Sequence, residues 1–184
     1  MFGLKRKTDP RVAADDFVLA TFGMAGQTFP EFVRVLSYVS GMMSRSDSDW
    51  FAAFLDSQDT RRPLHRQWAA ALIAQEAMGI RVCLEEPQAT AVLGAVFRRL
   101  EELGPEVVWM PSTVARYMTA QSERQSMYDN PIVDALLTEI GFRDEPKLAP
   151  LIGHMVWSLP LAEVLLNSTQ GYWKQFAANS RIKV

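Results

Sequence analysis

The sequence predicts an all-α protein, an irregular bundle of about eight to ten helices that forms one domain over residues 1–184. Three observations lead to this prediction. Apolar residues recur at helical spacing along most of the chain, capping residues followed by proline mark repeated helix starts, and strand-like alternation is rare. With 48% hydrophobic and 22% charged residues in 184, the chain can bury a core without disulfide or metal support.

Four proline-marked helix starts are the clearest local signals. In Asp9-Pro10 and Asn130-Pro131 a capping side chain precedes a proline in the first helical turn, and Gly141 ends the second of these helices. Pro87 and Pro111 open two further segments. The segment after Pro87 has the clearest amphipathic pattern. Its apolar stripe is formed by Val92, Val96, Leu100 and Leu103.

The helix that begins after Asp9 is predicted to be short. Gly23 and Gly26 are typical helix terminators, and Thr28-Phe29-Pro30-Glu31 has the pattern of a capping box that starts a second helix. A third helix is predicted from Ser46 to Leu55.

A polar turn at Ser57 to Arg62 is expected before a longer helix that begins at Pro63. Tyr172, Trp173 and Phe176 are assigned to a final helix.

One minor two-stranded element is allowed by the pattern. Ile80, Val82 and Leu84 alternate with more polar residues, and residues 107–110 form a short apolar run between two prolines. Two strands alone are marginally stable, so we expect any such pair to pack against helices.

The stretch from Leu148 to Leu166 is the most apolar part of the chain. A membrane span needs about 20 mostly apolar residues, and Pro150 and Pro160 interrupt this stretch near both ends. We therefore expect a buried, kinked helix with Val156 and Leu159 in the core, and no membrane span.

The charge balance argues against nucleic-acid binding, and the cysteine count and the N-terminal pattern favour a cytoplasmic location. The net charge is −2 and the pI about 5.7, and no cluster of adjacent basic residues is longer than three. The single cysteine excludes an internal disulfide and agrees with a reducing compartment. No secretory signal pattern is present. Arginine outnumbers lysine 14 to 5, a usage typical of GC-rich bacterial genomes.

No residue pattern indicates catalysis, a cofactor or a metal. The two histidines, His65 and His154, belong to no metal-ligand motif. We expect His65 to be a solvated residue in the first turn of a helix and His154 to be a core or interface residue. Cys83 lies between Val82 and Leu84, which favours a buried, inert thiol. Glu76 and Glu163 are single carboxylates in apolar surroundings, and each is a candidate structural partner for an arginine.

The helix after Thr28 carries apolar residues on two faces, which is the positional clue to function. One stripe is expected to face the core: Phe32, Val33, Leu36 and Val39. A second stripe, formed by Val35, Tyr38 and Met42, is then left for a partner. Nine methionines add side chains that suit adaptable binding surfaces.

The sequence therefore predicts a non-catalytic protein-interaction or adaptor module that binds another protein or a second copy of itself. Three alternatives stay open: a helical pocket for an apolar small molecule, an enzyme whose site is assembled from dispersed residues, and a nucleic-acid-associated factor. An enclosed apolar cavity would favour the first of these, and a basic face assembled from the scattered arginines would favour the last.

Overall fold

A computed structural model describes residues 6–43, 58–123, 130–141, 155–169 and 171–183. Most of these residues are helical, which confirms the predicted all-α class. A 3-10 turn covers Pro105–Val107. The elements in chain order are β1 (Arg6–Thr8), α1 (Pro10–Met43), α2 (Gln58–Cys83), α3 (Glu86–Glu101), α4 (Met110–Ser122), α5 (Pro131–Glu139), α6 (Met155–Ser168), α7 (Tyr172–Asn179) and β2 (Ser180–Ile182).

The predicted capping signals are confirmed at two helix starts. The Asp9 carboxylate accepts a hydrogen bond from the backbone N–H of Arg11 at 2.8 Å, and α1 begins at Pro10. The Asn130 side-chain oxygen accepts one from the backbone N–H of Val133 at 3.2 Å, and α5 follows. These bonds satisfy N–H groups that have no partner inside the helix. Gly141, with φ of 86°, follows the end of α5 in a conformation that glycine favours.

α1 is a single helix of 34 residues, so the predicted break between Gly23 and Pro30 is wrong. Thr28 does not cap a new helix. Its hydroxyl donates back to the Met24 carbonyl at 2.9 Å and accepts a hydrogen bond from the Trp68 indole N–H at 3.0 Å. Pro30 cannot donate to the Gly26 carbonyl. Packing of this part of α1 against α2 therefore outweighs the local helix-end signals.

α1 and α2 occupy the centre of the described structure. α1 packs against α2, α3 and α6, while α2 also contacts α4, α5 and α7. Every helix contributes buried hydrophobic residues to the core. The largest buried side chains in the two central helices are Phe17, Phe32, Leu36, Leu64, Trp68, Leu72, Ile73 and Ile80.

The two strands form a parallel pair at a place that the sequence pattern did not indicate. β1 pairs with β2 in the register Arg6 with Ser180, Lys7 with Arg181 and Thr8 with Ile182. A minor two-stranded element is thus present, but its predicted location is wrong.

The segments predicted to pair are mostly helical. Ile80 and Val82 lie in the last turn of α2, and Val107 lies in the 3-10 turn. Ala77, Ile80 and Leu84 also fit helical spacing, and extending an existing helix costs little.

The helix count and two helix positions differ from prediction. The described residues contain fewer helices than the eight to ten predicted, partly because two predicted helices are one. α2 begins at Gln58, before Pro63, rather than after a turn. The helix predicted from Ser46 to Leu55 lies outside the described residues.

α6 buries a different face from the one predicted. Leu161 and Leu165, one turn apart, are fully buried, whereas Leu159 is 44% exposed and Leu166 is 55% exposed. Leu159 is therefore not a core residue, because the helix phase turns it outward with Leu166. Pro160 lies inside this helix. Residues 148–154 and the Val156 side chain lie outside the described part.

Candidate interaction surface

The outer face of α1, opposite the core, carries no charge over four turns. Residues 17–30 include no Asp, Glu, Lys or Arg, although the helix is exposed to solvent along this side. Leu19 is 60% exposed. A surface helix ordinarily presents charged or polar residues to water. We define the outer face of α1 by its exposed residues: Leu19, Ala20, Gly23, Gly26, Gln27 and Pro30.

Two glycines make the backbone of this face accessible. An added Cβ at Gly23 or at Gly26 would have no heavy atom within 4 Å, so the space outside the helix is open at both positions. Because Pro30 lacks an N–H, the Gly26 carbonyl also loses its usual helical partner. A neighbouring helix could approach closely here without displacing side chains.

The opposite side of α1 is fixed by aromatic contacts with α2. The Phe32 ring stacks on Trp68 with centroids 4.4 Å apart and planes tilted by 16°. Phe29 meets His65 edge to face at 4.8 Å. These contacts, with the indole bond to Thr28, determine which side of α1 faces the core and which remains outside.

The three residues predicted to bind a partner have different environments. Val35 is half-buried and packs against the core. Tyr38 is 64% exposed, next to the fully buried Leu36. The Met42 side chain lies outside the described residues. Their role in binding stays a prediction.

The sequence reasoning did not single out the outer face of α1. The run of 14 residues without charge is visible in the sequence. It was divided by the predicted helix break at Gly23 and Gly26, so its continuity along one exposed face became clear only in the structure.

The histidine and cysteine side chains do not form a reactive cluster among the described residues. His65 is half-buried against Phe29 rather than fully solvated, and partial burial and the nearby Arg66 lower its pKa. His154 lies outside the described part. Cys83 is half-buried at the last residue of α2, not fully buried as expected.

Glu76 has a structural partner, but the partner is backbone rather than arginine. Its buried carboxylate accepts hydrogen bonds from the backbone N–H groups of Gly171 at 2.9 Å and Tyr172 at 3.2 Å. Those groups belong to the start of α7, where a negative charge is favoured. Glu163 is exposed and makes no ion pair with a described residue. The predicted arginine partner is therefore wrong for Glu76, and for Glu163 it stays a prediction.

A cavity beside Glu76 is too small for an organic ligand. Its volume is about 20 Å³, which is enough for one water molecule. Burial and the charge of Asp16 raise the pKa of the bordering Tyr172 to about 12, so this phenol is neutral at physiological pH. The lining residues are Ala20, Thr21, Met24, Leu72, Glu76, Ser168 and Tyr172.

Comparisons with known proteins give no relative. No protein-family model, curated protein or solved structure matches the chain. In the described ranges, no group of three His, Cys, Asp or Glu side chains is placed to hold a metal ion. Likewise, none of the helices seen in these ranges combines the length and apolarity required to cross a bilayer.

Proposed function

We propose that the protein is a protein-interaction module that binds another protein, or a second copy of itself, through the outer face of α1. The observation that carries the proposal is the uncharged, solvent-exposed side of α1 over residues 17–30. Contiguous apolar surface on a folded protein typically marks a binding site. The proposal moves the centre of the contact about four turns towards the N-terminus from the face centred on Tyr38.

The shape of this surface favours a protein partner over a small molecule. The outer face of α1 extends from Leu19 to Pro30 along one side of the helix, a distance of roughly 17 Å at 1.5 Å per residue. Protein interfaces extend over such distances, whereas small-molecule sites are concave. Leu19 would provide the apolar anchor, and the bare backbone at Gly23 would admit a partner helix.

A single charge on the outer face of α1 tests the proposal. Leu19→Lys places an ammonium group where the partner would exclude water, and we expect at least a tenfold weaker association because an unpaired charge is costly in an interface. Sedimentation velocity of the full chain over a concentration series measures self-association. Quantitative crosslinking and capture from the native host, comparing wild type with the variant, measures binding of other proteins.

Val82→Lys is the matched control. Val82 is 86% exposed at the end of α2, so the variant adds the same charge to an exposed apolar position outside the outer face of α1. It should leave association unchanged. Circular dichroism should show unchanged helicity for both variants, because neither side chain is in the core.

The face predicted from sequence is tested by Tyr38→Lys combined with Met42→Lys. If this double variant loses association while Leu19→Lys keeps it, the partner binds the C-terminal end of α1 and the outer-face assignment is wrong. If neither variant changes self-association or capture, α1 does not bind the partner and the proposal fails.

A further inference from the structure

A charged groove of about 220 Å³ lies between the first turns of α1 and the C-terminal half of α3. It is separate from the outer face of α1 and from the cavity beside Glu76. Three of its six lining residues are arginines and two are carboxylates. The lining residues are Arg11, Asp15, Ala95, Arg98, Arg99 and Glu102.

Arg99 is held in place within this groove. Its side chain is half-buried, with Nε 2.7 Å from Asp15 Oδ1 and Nη1 4.0 Å from Glu102 Oε2. The Nε–H is buried and is not aligned with any acceptor as a hydrogen bond, so the Asp15 contact is a charge contact. Asp15 is thus engaged by one arginine, which leaves less negative charge for the other two.

Arg11 and Arg98 have free guanidinium groups. Both residues are exposed, and neither side chain makes an ion pair or hydrogen bond within the described ranges. Arg98 lies in the last turn of α3, where a cation is favoured. Arg11 lies in the first turn of α1, where the helix dipole disfavours its charge, and the carboxylate at this helix start is that of the capping residue Asp9.

A second unfavourable placement of like charges occurs just before Arg11. Lys7 of β1 is the register partner of Arg181 of β2, and both side chains are exposed. Like charges directly opposite each other destabilise a strand pair. Arg11 is four residues from Lys7, at most roughly 14 Å away along the chain, and Asp9 lies between them.

We propose that the groove binds a small ligand through a dianionic phosphate group, held by Arg11 and Arg98 and oriented by Arg99. A guanidinium presents paired N–H donors that match phosphate oxygens, and two free arginines neutralise two negative charges. A bound dianion would also offset the unfavourable interaction between the Arg11 charge and the dipole of α1. Local rules of stability are most often broken at functional sites.

Inorganic phosphate and phenyl phosphate are the probes for this site. Titration of the full chain is followed by the arginine Nε–Hε NMR signals and by the melting temperature, with sodium chloride at matched ionic strength as reference. We expect saturable shifts of the Arg11 and Arg98 signals. Binding of phenyl phosphate should weaken below about pH 6, where the phosphomonoester dianion takes up a proton and becomes a monoanion.

Arg11→Gln combined with Arg98→Gln should weaken phosphate binding at least tenfold. Arg34→Gln is the matched control, because Arg34 is an exposed arginine of α1 paired with Glu31 rather than with the groove. Arg11→Lys with Arg98→Lys keeps the charge but loses the paired donors, so its affinity should fall between those of wild type and the glutamine variant.

Four results separate the outcomes. Equal shifts with sodium chloride, or equal binding by the double glutamine variant, would overturn the proposal. Vesicles that contain phosphatidic acid, whose headgroup is a phosphomonoester, distinguish the source of the phosphate. If the double glutamine variant loses binding both to free phosphate and to these vesicles, the result supports a lipid headgroup as the source. Vesicle binding without binding of either free phosphate probe overturns the small-ligand site. Leu19→Lys should affect none of these measurements, so this test is independent of the protein-interaction proposal.

Discussion

Two buried tryptophans attach helices to the centre of the molecule in different ways. Trp68 on α2 contacts Phe32 of α1, whereas Trp173 on α7 contacts Phe17 of α1 and lies next to Gly79 of α2. Both tryptophans are almost fully inaccessible to solvent. The Trp68 ring stacks on Phe32, and its N–H donates to Thr28. The apolar packing of Trp68 and the hydrogen bond of its N–H are therefore both made with the same helix, α1.

At α7, different residues provide the apolar packing and the polar attachment. Its ring packs against Phe17 at 5.1 Å and Tyr172 at 5.0 Å, but its buried N–H has no hydrogen-bond partner in the described structure. The polar attachment of α7 comes instead from Glu76, which binds the backbone at the helix start. An unmade buried hydrogen bond costs stability. We therefore expect α7, only eight residues long, to open more readily than the α1–α2 contact.

Truncation of each tryptophan tests this difference and should give the largest effect. Trp68→Ala leaves a large cavity between the two central helices, and we expect a loss of about 3–5 kcal/mol in the free energy of unfolding. Trp173→Ala should cost less, because local detachment of α7 relieves the cavity. Urea denaturation followed by circular dichroism measures both losses.

The comparison would be refuted by equal or reversed losses. A Trp173→Ala loss as large as that of Trp68→Ala would mean that α7 unfolds only with the rest of the protein. Hydrogen exchange of the α7 amides in the wild-type protein gives the same information without a substitution, since an early-opening helix exchanges faster than α2.

Glu76→Gln tests the polar attachment of α7, with an expected loss of about 2 kcal/mol. The substitution removes the charge that accepts two backbone N–H groups at the start of α7, and hydrogen bonds to charged groups are the stronger ones. The Gly171 and Tyr172 amides should exchange faster. Glu163→Gln is the control, because that carboxylate is exposed and unpaired in the described structure, and it should change stability by less than about 0.5 kcal/mol.

If Glu76→Gln leaves the exchange of these two amides unchanged, Glu76 does not hold α7. The apolar contacts of Trp173 would then be sufficient, and the two tryptophan attachments would differ less than their geometry suggests.

Local signals in the sequence predicted the parts of the fold that depend on few neighbours. Asp9 and Asn130 cap helices as predicted, because a capping bond joins residues two or three apart. The apolar stripe after Pro87 is buried at Val92, Val96 and Leu100 for the same reason. Helix periodicity fixes which residues share a face, without reference to the rest of the chain.

Contacts between distant residues explain the features that were missed. The bond from Trp68 to Thr28 joins residues 40 apart, and it lies where the sequence predicts a helix break. Glu76 meets Gly171 across 95 residues. No local pattern indicates such partners. The uncharged run of α1 was visible in the sequence, but only the packing of Phe32 and Phe29 shows which side of that run is exposed.

The smallest expected effect isolates the hydrogen bond that distinguishes Trp68 from Trp173. Thr28→Val keeps the side-chain shape but removes the oxygen that accepts from the Trp68 indole, so a second buried indole N–H loses its partner, as in Trp173. We expect a loss of about 1 kcal/mol in the free energy of unfolding.

Thr21→Val is the control for this hydrogen bond. The Thr21 hydroxyl also donates to the carbonyl four residues earlier, that of Phe17, at 2.9 Å, but it receives no hydrogen bond from an indole. Because a bond of this kind adds little to a helix, Thr21→Val should be nearly neutral. Equal losses in the two variants would assign the cost to the lost hydroxyl rather than to the indole, and the contrast between the two tryptophans would then rest on ring packing alone.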